Sequence, residues 1–266
     1  MKRGINILLA LTLAAICLSV CARAAMRICD VMGVVALYRS DDETMSASKE
    51  IKTHNLGALQ FNGIEASAAA MVTVREAGNP NRDVILRVNE NLAEHVEMKV
   101  RGGILEIGFK RSFNLNGLRA LGNFTFEVSV PHSDELSSLT AAGSAQIDVA
   151  SPLTAVKVAL KAAGASRITA PVECTMCEVE AAGASKIRLS GHCTKLEAEA
   201  AGASKVDASE CESVNCTAEA VGASKILVWC TGSLSADAVG ASKVAYRGDC
   251  ALKKSAVGAS SVKKMD

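Results

Sequence analysis

The sequence predicts an all-β protein: a single-stranded right-handed parallel β-helix, a solenoid with about 19 residues per coil in its C-terminal half. Three observations carry this prediction. The pentapeptide Gly-Ala-Ser-Lys/Arg-Ile/Val opens at Gly164, Gly183, Gly202, Gly222 and Gly240, with looser copies at Gly143 and Gly258, so the glycine spacings are 21, 19, 19, 20, 18 and 18. Around each glycine, apolar and polar positions alternate with period 2, the signature of extended chain with one buried face. Finally, 49% of the 266 residues are apolar but only 3% are aromatic, and all five Phe lie at or before Phe126. A core of Ala, Val, Ile and Leu suits thin stacked layers better than a globular centre.

The N-terminus reads as a secretory signal over residues 1–24. Lys2 and Arg3 precede a largely apolar run from Ile5 to Val20, and Ala22-Arg23-Ala24 offers a small-x-small cleavage site. Leu18-Ser19-Val20-Cys21 resembles a lipoprotein box, with Val where a small residue is expected, so a lipid on Cys21 is the alternative. Export to the periplasm, the outer-membrane surface or the medium follows. After signal cleavage no segment is long and apolar enough to span a bilayer. Residues 25–51 read as a lead-in and linker, acidic at Asp41-Asp42-Glu43. The β-helix domain is expected over 52–266, irregular through 138 and regular from 139.

In the irregular part, Val84, Leu86 and Val88 alternate, as do Leu105, Ile107 and Phe109 after the turn Gly102-Gly103. Phe124, Phe126, Val128 and Val130 give the clearest strand, stopped by Pro131. In the regular part, Ala stands two before each glycine (Ala162, Ala181, Ala200, Ala220, Ala238, Ala256) and Ser two after it. Four after it come Ile168, Ile187, Val206, Ile226, Val244 and Val262. The glycine falls on this same buried parity, where it can form a corner or let two backbones close in. Lone units cannot bury such a face; stacked units can, with like residues in vertical files. In the last coil Lys254 replaces the apolar residues at that position in earlier coils, Leu160, Val179 and Ala198, and Lys263-Lys264 follow, so charge blunts the open end.

Several stretches, in order, resemble a known family: Gln60-Phe61-Asn62-Gly63-Ile64, Met71-Val72-Thr73-Val74, Val88-Asn89-Glu90-Asn91-Leu92, Gly102-Gly103-Ile104-Leu105-Glu106-Ile107, Val128-Ser129-Val130-Pro131 and Leu139-Thr140-Ala141-Ala142-Gly143-Ser144. Together they resemble the autotransporter-adhesin head GIN domain family of exported bacterial proteins, over about Lys49 to Val262. The resemblance implies a single-stranded right-handed β-helix, an exported location and no known catalytic residues. The chain departs from the family where Lys or Arg fills a place expected to hold Asp or a small polar residue.

Three files of residues are candidate sites. Cys174, Cys193, Cys211, Cys230 and Cys250, spaced 19, 18, 19 and 20, recur about once per coil. Exported chains with even cysteine counts favour disulfides, so these are expected as disulfides or a thiol ladder. Cys177 and Cys216 share a buried column two coils apart, too far to bond. Zinc on Cys174-x-x-Cys177 with His192-Cys193 is disfavoured because no second CxxC is present, and no metal or cofactor is expected. A basic file runs through Arg167, Lys186, Lys205, Lys225 and Lys243, facing an acidic one of Glu180, Glu199, Glu219 and Asp237. Between them an apolar stripe, Ala182, Ala201, Val221, Val239 and Val257, with alanines on the other side of the glycine, is a candidate interface.

A formal net charge of +1 argues against nucleic acid as a partner. His54, His95, His132 and His192 are isolated in sequence, the Ser files sit on the buried parity, and no coil carries clustered Asp. With only Trp229 and Tyr246 in the repeats, aromatic sugar platforms are not expected. The expected function is therefore non-enzymatic: a structural or adhesion-type module binding a cell-surface glycan or protein, or its own copies, through repeated ladders. A polysaccharide-active lyase or hydrolase of the β-helix type is the alternative, and a carboxylate cluster in a groove would favour it.

Overall fold

Period-2 alternation over one coil buries nothing until another coil lies on it, and the fold is the result. The computed structural model describes residues 47–110, 112–113 and 124–265. The expected signal, nearly all of the lead-in, Cys21 and Cys29 lie outside the described residues. The described chain is a parallel β-solenoid of about seven turns, with about 19 residues per turn in its C-terminal part.

The regular half consists of long bent strands laid one on the next. β10 (Leu153–Ala162) pairs in parallel with β11 (Arg167–Gly183), β11 with β12 (Lys186–Gly202), β12 with β13 (Lys205–Gly222) and β13 with β14 (Lys225–Gly240). β14 then carries β15 (Lys243–Arg247) and β16 (Ala251–Gly258), and β15 carries the last strand, β17 (Ser261–Lys264). Equivalent residues stack in register: Ile168 on Ile187, then Val206, Ile226, Val244 and Val262, all buried.

The corner explains the motif. The glycines adopt φ between +70° and +88°, a left-handed conformation that side chains resist. They do not follow the buried parity assigned to them above. Their positive φ turns the chain, so the glycine and the following Ala face solvent while the Ser after them points inward. A Cβ on Gly202 would meet the carbonyl oxygen of Gly183 at 2.9 Å, and every regular corner has the same collision. Backbone therefore rests directly on backbone: the Ala203 N–H donates to Gly183 O at 2.7 Å, and the Lys205 N–H to Ser185 O at 2.9 Å. The buried serines complete the corner. Ser204 Oγ donates to Ala181 O in the coil below at 3.0 Å, Ser166, Ser185, Ser224 and Ser242 make the equivalent bond, and so does the half-buried Ser260 of the last coil. A buried hydroxyl thus finds a partner rather than a desolvation penalty.

The first half closes the other end differently. β2 (Gly63–Ala66) and β3 (Met71–Val74) form a coil that pairs on one side with β6 (Ile104–Phe109) and β7 (Phe126–Val130), and on the other with β8 (Ser138–Ala141) and β9 (Gln146–Val149). The coil of residues 63–74 thus lies between two coils that follow it in sequence. β8 and β9 lead on to β10 and β11. Beyond β6 and β7 the pairing turns antiparallel: β5 (Val96–Arg101) on β6, and β4 (Asp83–Asn89) on β7, with β1 (Ile51–Ala58) outermost on β4. One helical turn, α1 (Glu90–Ala93), buries Leu92. The aromatic residues gather here: Phe109 lies 5.0 Å from both Phe113 and Phe126 between ring centres, and His95 stacks on Phe113 at 4.6 Å. At the opposite end Lys254 is exposed, as the sequence predicts for a coil with one free edge.

Candidate functional site

The repeat carries its surface chemistry as files. β11 to β15 place Arg167, Lys186, Lys205, Lys225 and Lys243 in direct register, one per coil. Neighbours in such a ladder are about 4.8 Å apart, so five cations span about 19 Å. Lys205 meets a carboxylate in its own coil, Asp207, at 2.8 Å. Burial would push the Asp207 carboxyl up, but Lys205 and the Ser209 hydroxyl hold it below its ordinary value. Among the described residues the other four members make no ion pair, and all four are exposed. Adjacent like charges in water repel by about 1 kcal/mol at contact distance, so the file stores a modest repulsion that an external anion would relieve.

On the other side of the glycine corner Glu180, Glu199, Glu219 and Asp237 stand in register, each half-buried. Lys161 reaches Glu180 at 3.0 Å. The Glu219 carboxyl is pushed up by burial and by its neighbours Asp237 and Glu197. A second acidic pair, Glu178 over Glu197, belongs to the same face and is absent from the sequence reading above. Its signal was the residue two before each acidic position, which becomes Thr217 and Ser235 in later coils and so breaks the visible repeat. Lys157 meets Glu178 and Lys195 meets Glu197, both at 2.6 Å. One face is thus acidic with basic partners, and the next is basic with few acidic ones.

The stripe residues line the corner. Ala182, Ala201, Val221 and Val239 are half-buried against the corner, and Val257 is exposed. The alanines after each glycine, Ala184, Ala203, Ala223 and Ala241, are exposed.

Of the two states expected for the cysteine file, disulfides or a thiol ladder, the described residues show thiols, and the file is not continuous. All seven described cysteines are free thiols, with no pair at bonding distance. The varying corner lengths break the file: Cys174 lies in register with Cys193, but Cys193 then faces Ser213, Cys211 faces Gly191, and Cys230 faces Ser213. Leu196 separates Cys177 from Cys216, as their spacing predicts. Ser213 Oγ lies 2.9 Å from Cys216 Sγ and donates to Trp229 O at 2.7 Å. Burial, with Cys216 alongside, pushes the Cys230 thiol up to about 12. Among the described residues no three His, Cys, Asp or Glu side chains converge on a metal site.

The remaining polar features hold structure together. His132, 7% exposed, has Nε2 3.1 Å from Pro152 O, beside an open depression lined by Arg82 and Asp134. The Arg247 guanidinium lies 4.0 Å from the Trp229 ring centre, so that ring face is covered rather than open to a sugar. No helix among the described residues is long and apolar enough to cross a membrane.

Several solved structures share the shape of this fold at low identity. One from Bacteroides fragilis NCTC 9343, described as a "putative adhesin", superposes with a TM-score of 0.69 at 16% identity, covering 83% of this chain and 100% of that one. A "putative lipid binding protein" from Parabacteroides distasonis ATCC 8503 gives 0.65 at 18%, covering 84% and 99%. A "putative adhesin" from Parabacteroides merdae ATCC 43184 gives 0.58 at 19%, also covering 84% and 99%. A comparison with curated proteins found no match. Residues 60–250 match the model of one family along most of the solenoid, which accords with the resemblance drawn from the sequence; the chain belongs to the family described as "Putative auto-transporter adhesin, head GIN domain".

Proposed function

We propose that this protein is an exported, non-enzymatic adhesion-type module that holds an extended acidic polymer along its basic file. The observation that carries this reading is the in-register column of Arg167, Lys186, Lys205, Lys225 and Lys243, four of them without a carboxylate partner among the described residues. A linear chain bearing carboxylate, sulfate or phosphate groups meets the same side chain at every coil. Weak contacts repeated at a fixed step add up as tethered sites do. The family and the structural neighbours support an adhesin-type role, and neither points to an enzyme. Such a family also supports an exported or surface location, for which the apolar N-terminal run supplies the signal.

The test is binding of the purified chain to immobilised acidic and neutral polysaccharides at rising salt. Binding should be confined to the acidic polymers and weaken steeply with salt, because exposed charges are screened within about 10 Å at 0.1 M. Lys186→Glu with Lys225→Glu should weaken it about tenfold or more, by placing like charges against the ligand. Equal binding to neutral polymers, or binding insensitive to salt, would discard the reading.

A further inference from the structure

Five of the seven described cysteines are buried inside the solenoid; Cys174 and Cys250 reach its surface. These two half-exposed thiols sit in opposite surroundings. Cys250 is pushed up by burial and by the adjacent Cys230. Cys174 lies against Cys177 and Cys193, whose S–H groups can donate to its sulfur, with His192 nearby, and its thiol is drawn well below that of a free cysteine. The same contact with Cys174 pushes Cys177 and Cys193 up, with burial adding to it. Of the three, the half-exposed Cys174 is the thiol drawn toward its charged form.

The ladder around Cys174 also selects its partner. In register it reads Ala155, Cys174, Cys193, Ser213 from β10 to β13. Cys174 has a methyl group on one side and a thiol on the other; Cys193 has no second thiol in register, although the buried Cys211 thiol also reaches it from an offset position. In-register neighbours across a parallel ladder have Cα atoms about 4.8 Å apart, inside the range a disulfide spans. The neighbouring ladder reads Val158, Cys177, Leu196, Cys216, so Cys177 has no thiol next to it in register.

We infer that Cys174 is a thiol–disulfide exchange site for soluble disulfides, with Cys193 the thiol that completes the exchange. The Cys174 thiolate attacks one sulfur of the soluble disulfide. That S–S bond breaks, and the departing half leaves as a thiol once it takes up a proton. Cys193 Sγ then attacks Cys174 Sγ; the mixed disulfide breaks and the second half leaves, accepting the Cys193 proton. Two protein thiols are oxidised to one disulfide, one soluble disulfide is reduced to two thiols, and β11 becomes covalently tied to β12. The surface thiolate makes the first step fast, and the adjacent coil makes the second intramolecular. This inference is independent of the polymer reading.

The experiment uses the full reduced chain and a sub-stoichiometric amount of dithiobis(nitrobenzoate), whose released aryl thiolate is coloured. Cys174 should react at least about tenfold faster than the other described cysteines, as an activated, accessible thiol does. Two aryl thiolates should be released per reagent molecule consumed in the fast phase, and peptide mapping should find a Cys174–Cys193 bridge. Cys174→Ser should abolish the fast phase, while Cys250→Ser should leave it intact. Cys193→Ser should halve the yield and leave aryl-labelled Cys174. Circular dichroism of each variant separates loss of reactivity from loss of fold. A fast phase that survives Cys174→Ser in a folded protein overturns the site. A bridge from Cys174 to Cys177, or one aryl thiolate released by the unmodified chain, overturns the assignment of Cys193.

Discussion

The corner at Gly202 and the corner at Ala68 occupy equivalent places in two coils, yet only one obeys the repeat. In the regular half the corner is glycine at positive φ, followed by an Ala and then a Ser whose hydroxyl bonds the coil below. In the coil of residues 63–74, Ala66 lies in register with Ala141 and Val72 with Ile147, which puts Ala68 at the glycine position and Ala70 at the serine position. Ala68 nonetheless adopts φ +61°, the one non-glycine residue to do so among the described residues. Its carbonyl still accepts the Ser144 N–H of the next coil, as Gly183 O accepts that of Ala203, and a Cβ on Gly143 would crowd it at 3.0 Å. The fold therefore requires the conformation at this place and merely favours the residue. The repetition of Gly-Ala-Ser records a preference imposed at each level from Gly164 onward, where each glycine has another glycine beneath it.

This contrast can be broken at several points. The largest effect is expected from Gly202→Ala, which puts a Cβ in left-handed backbone and 2.9 Å from the Gly183 carbonyl. It should cost about 3 kcal/mol or more, read as a fall in the urea midpoint. A loss below about 1 kcal/mol would show that a regular corner relaxes as the Ala68 corner has, and would remove glycine's special status. Next comes Ser204→Ala, which removes the bond to Ala181 O and should cost about 1 kcal/mol. Ala68→Gly reverses the sign: relieving left-handed backbone should raise stability by about 1 kcal/mol, and thermal melting that shows no gain would mean the strain is absorbed elsewhere.

The smallest effect concerns the acidic face. The Glu219 carboxyl is raised in the folded state by burial and by Asp237 and Glu197. The folded chain then binds the proton more tightly than the unfolded one, so stability is highest below the ordinary carboxylate value and falls as pH rises through the raised one. Glu219→Gln should be slightly more stable than the parent at pH 7, with the advantage vanishing below about pH 4. An advantage that persists at low pH would point to packing instead of charge.

Much of this was legible in the sequence because period and parity report burial directly. The apolar file from Ile168 to Val262, the basic file and the charged last coil were all read from residue order alone. The nesting of residues 63–74 was not, since β2 and β3 carry no glycine motif and their neighbours are defined by pairing. Nor was the outward position of the glycines, because a positive φ reverses the parity that alternation would extend through them. The register of the thiols was hidden for a related reason. Sequence spacing measures chain length, while a disulfide depends on register: a one-residue shift between Arg188 and Ser190 sets the register at 20, so Cys193, only 18 residues before Cys211, faces Ser213 instead.

The nesting of that first coil also bears on the order of assembly. Strands β2 and β3 leave the ribosome before either of the coils that will flank them; they pair with chain 41 (β2) or 56 (β3) residues further on at one side and 75 further on at the other. They have no ladder to join until both flanks exist, whereas each later coil finds its template already laid. Long loops must close before such pairing is rewarded, which slows it. Pulse-labelled hydrogen exchange during refolding should therefore protect the amides of Ile64 and Val72 no earlier than those of Leu139 and Ile147, so that the part of the solenoid made first is among the last to set.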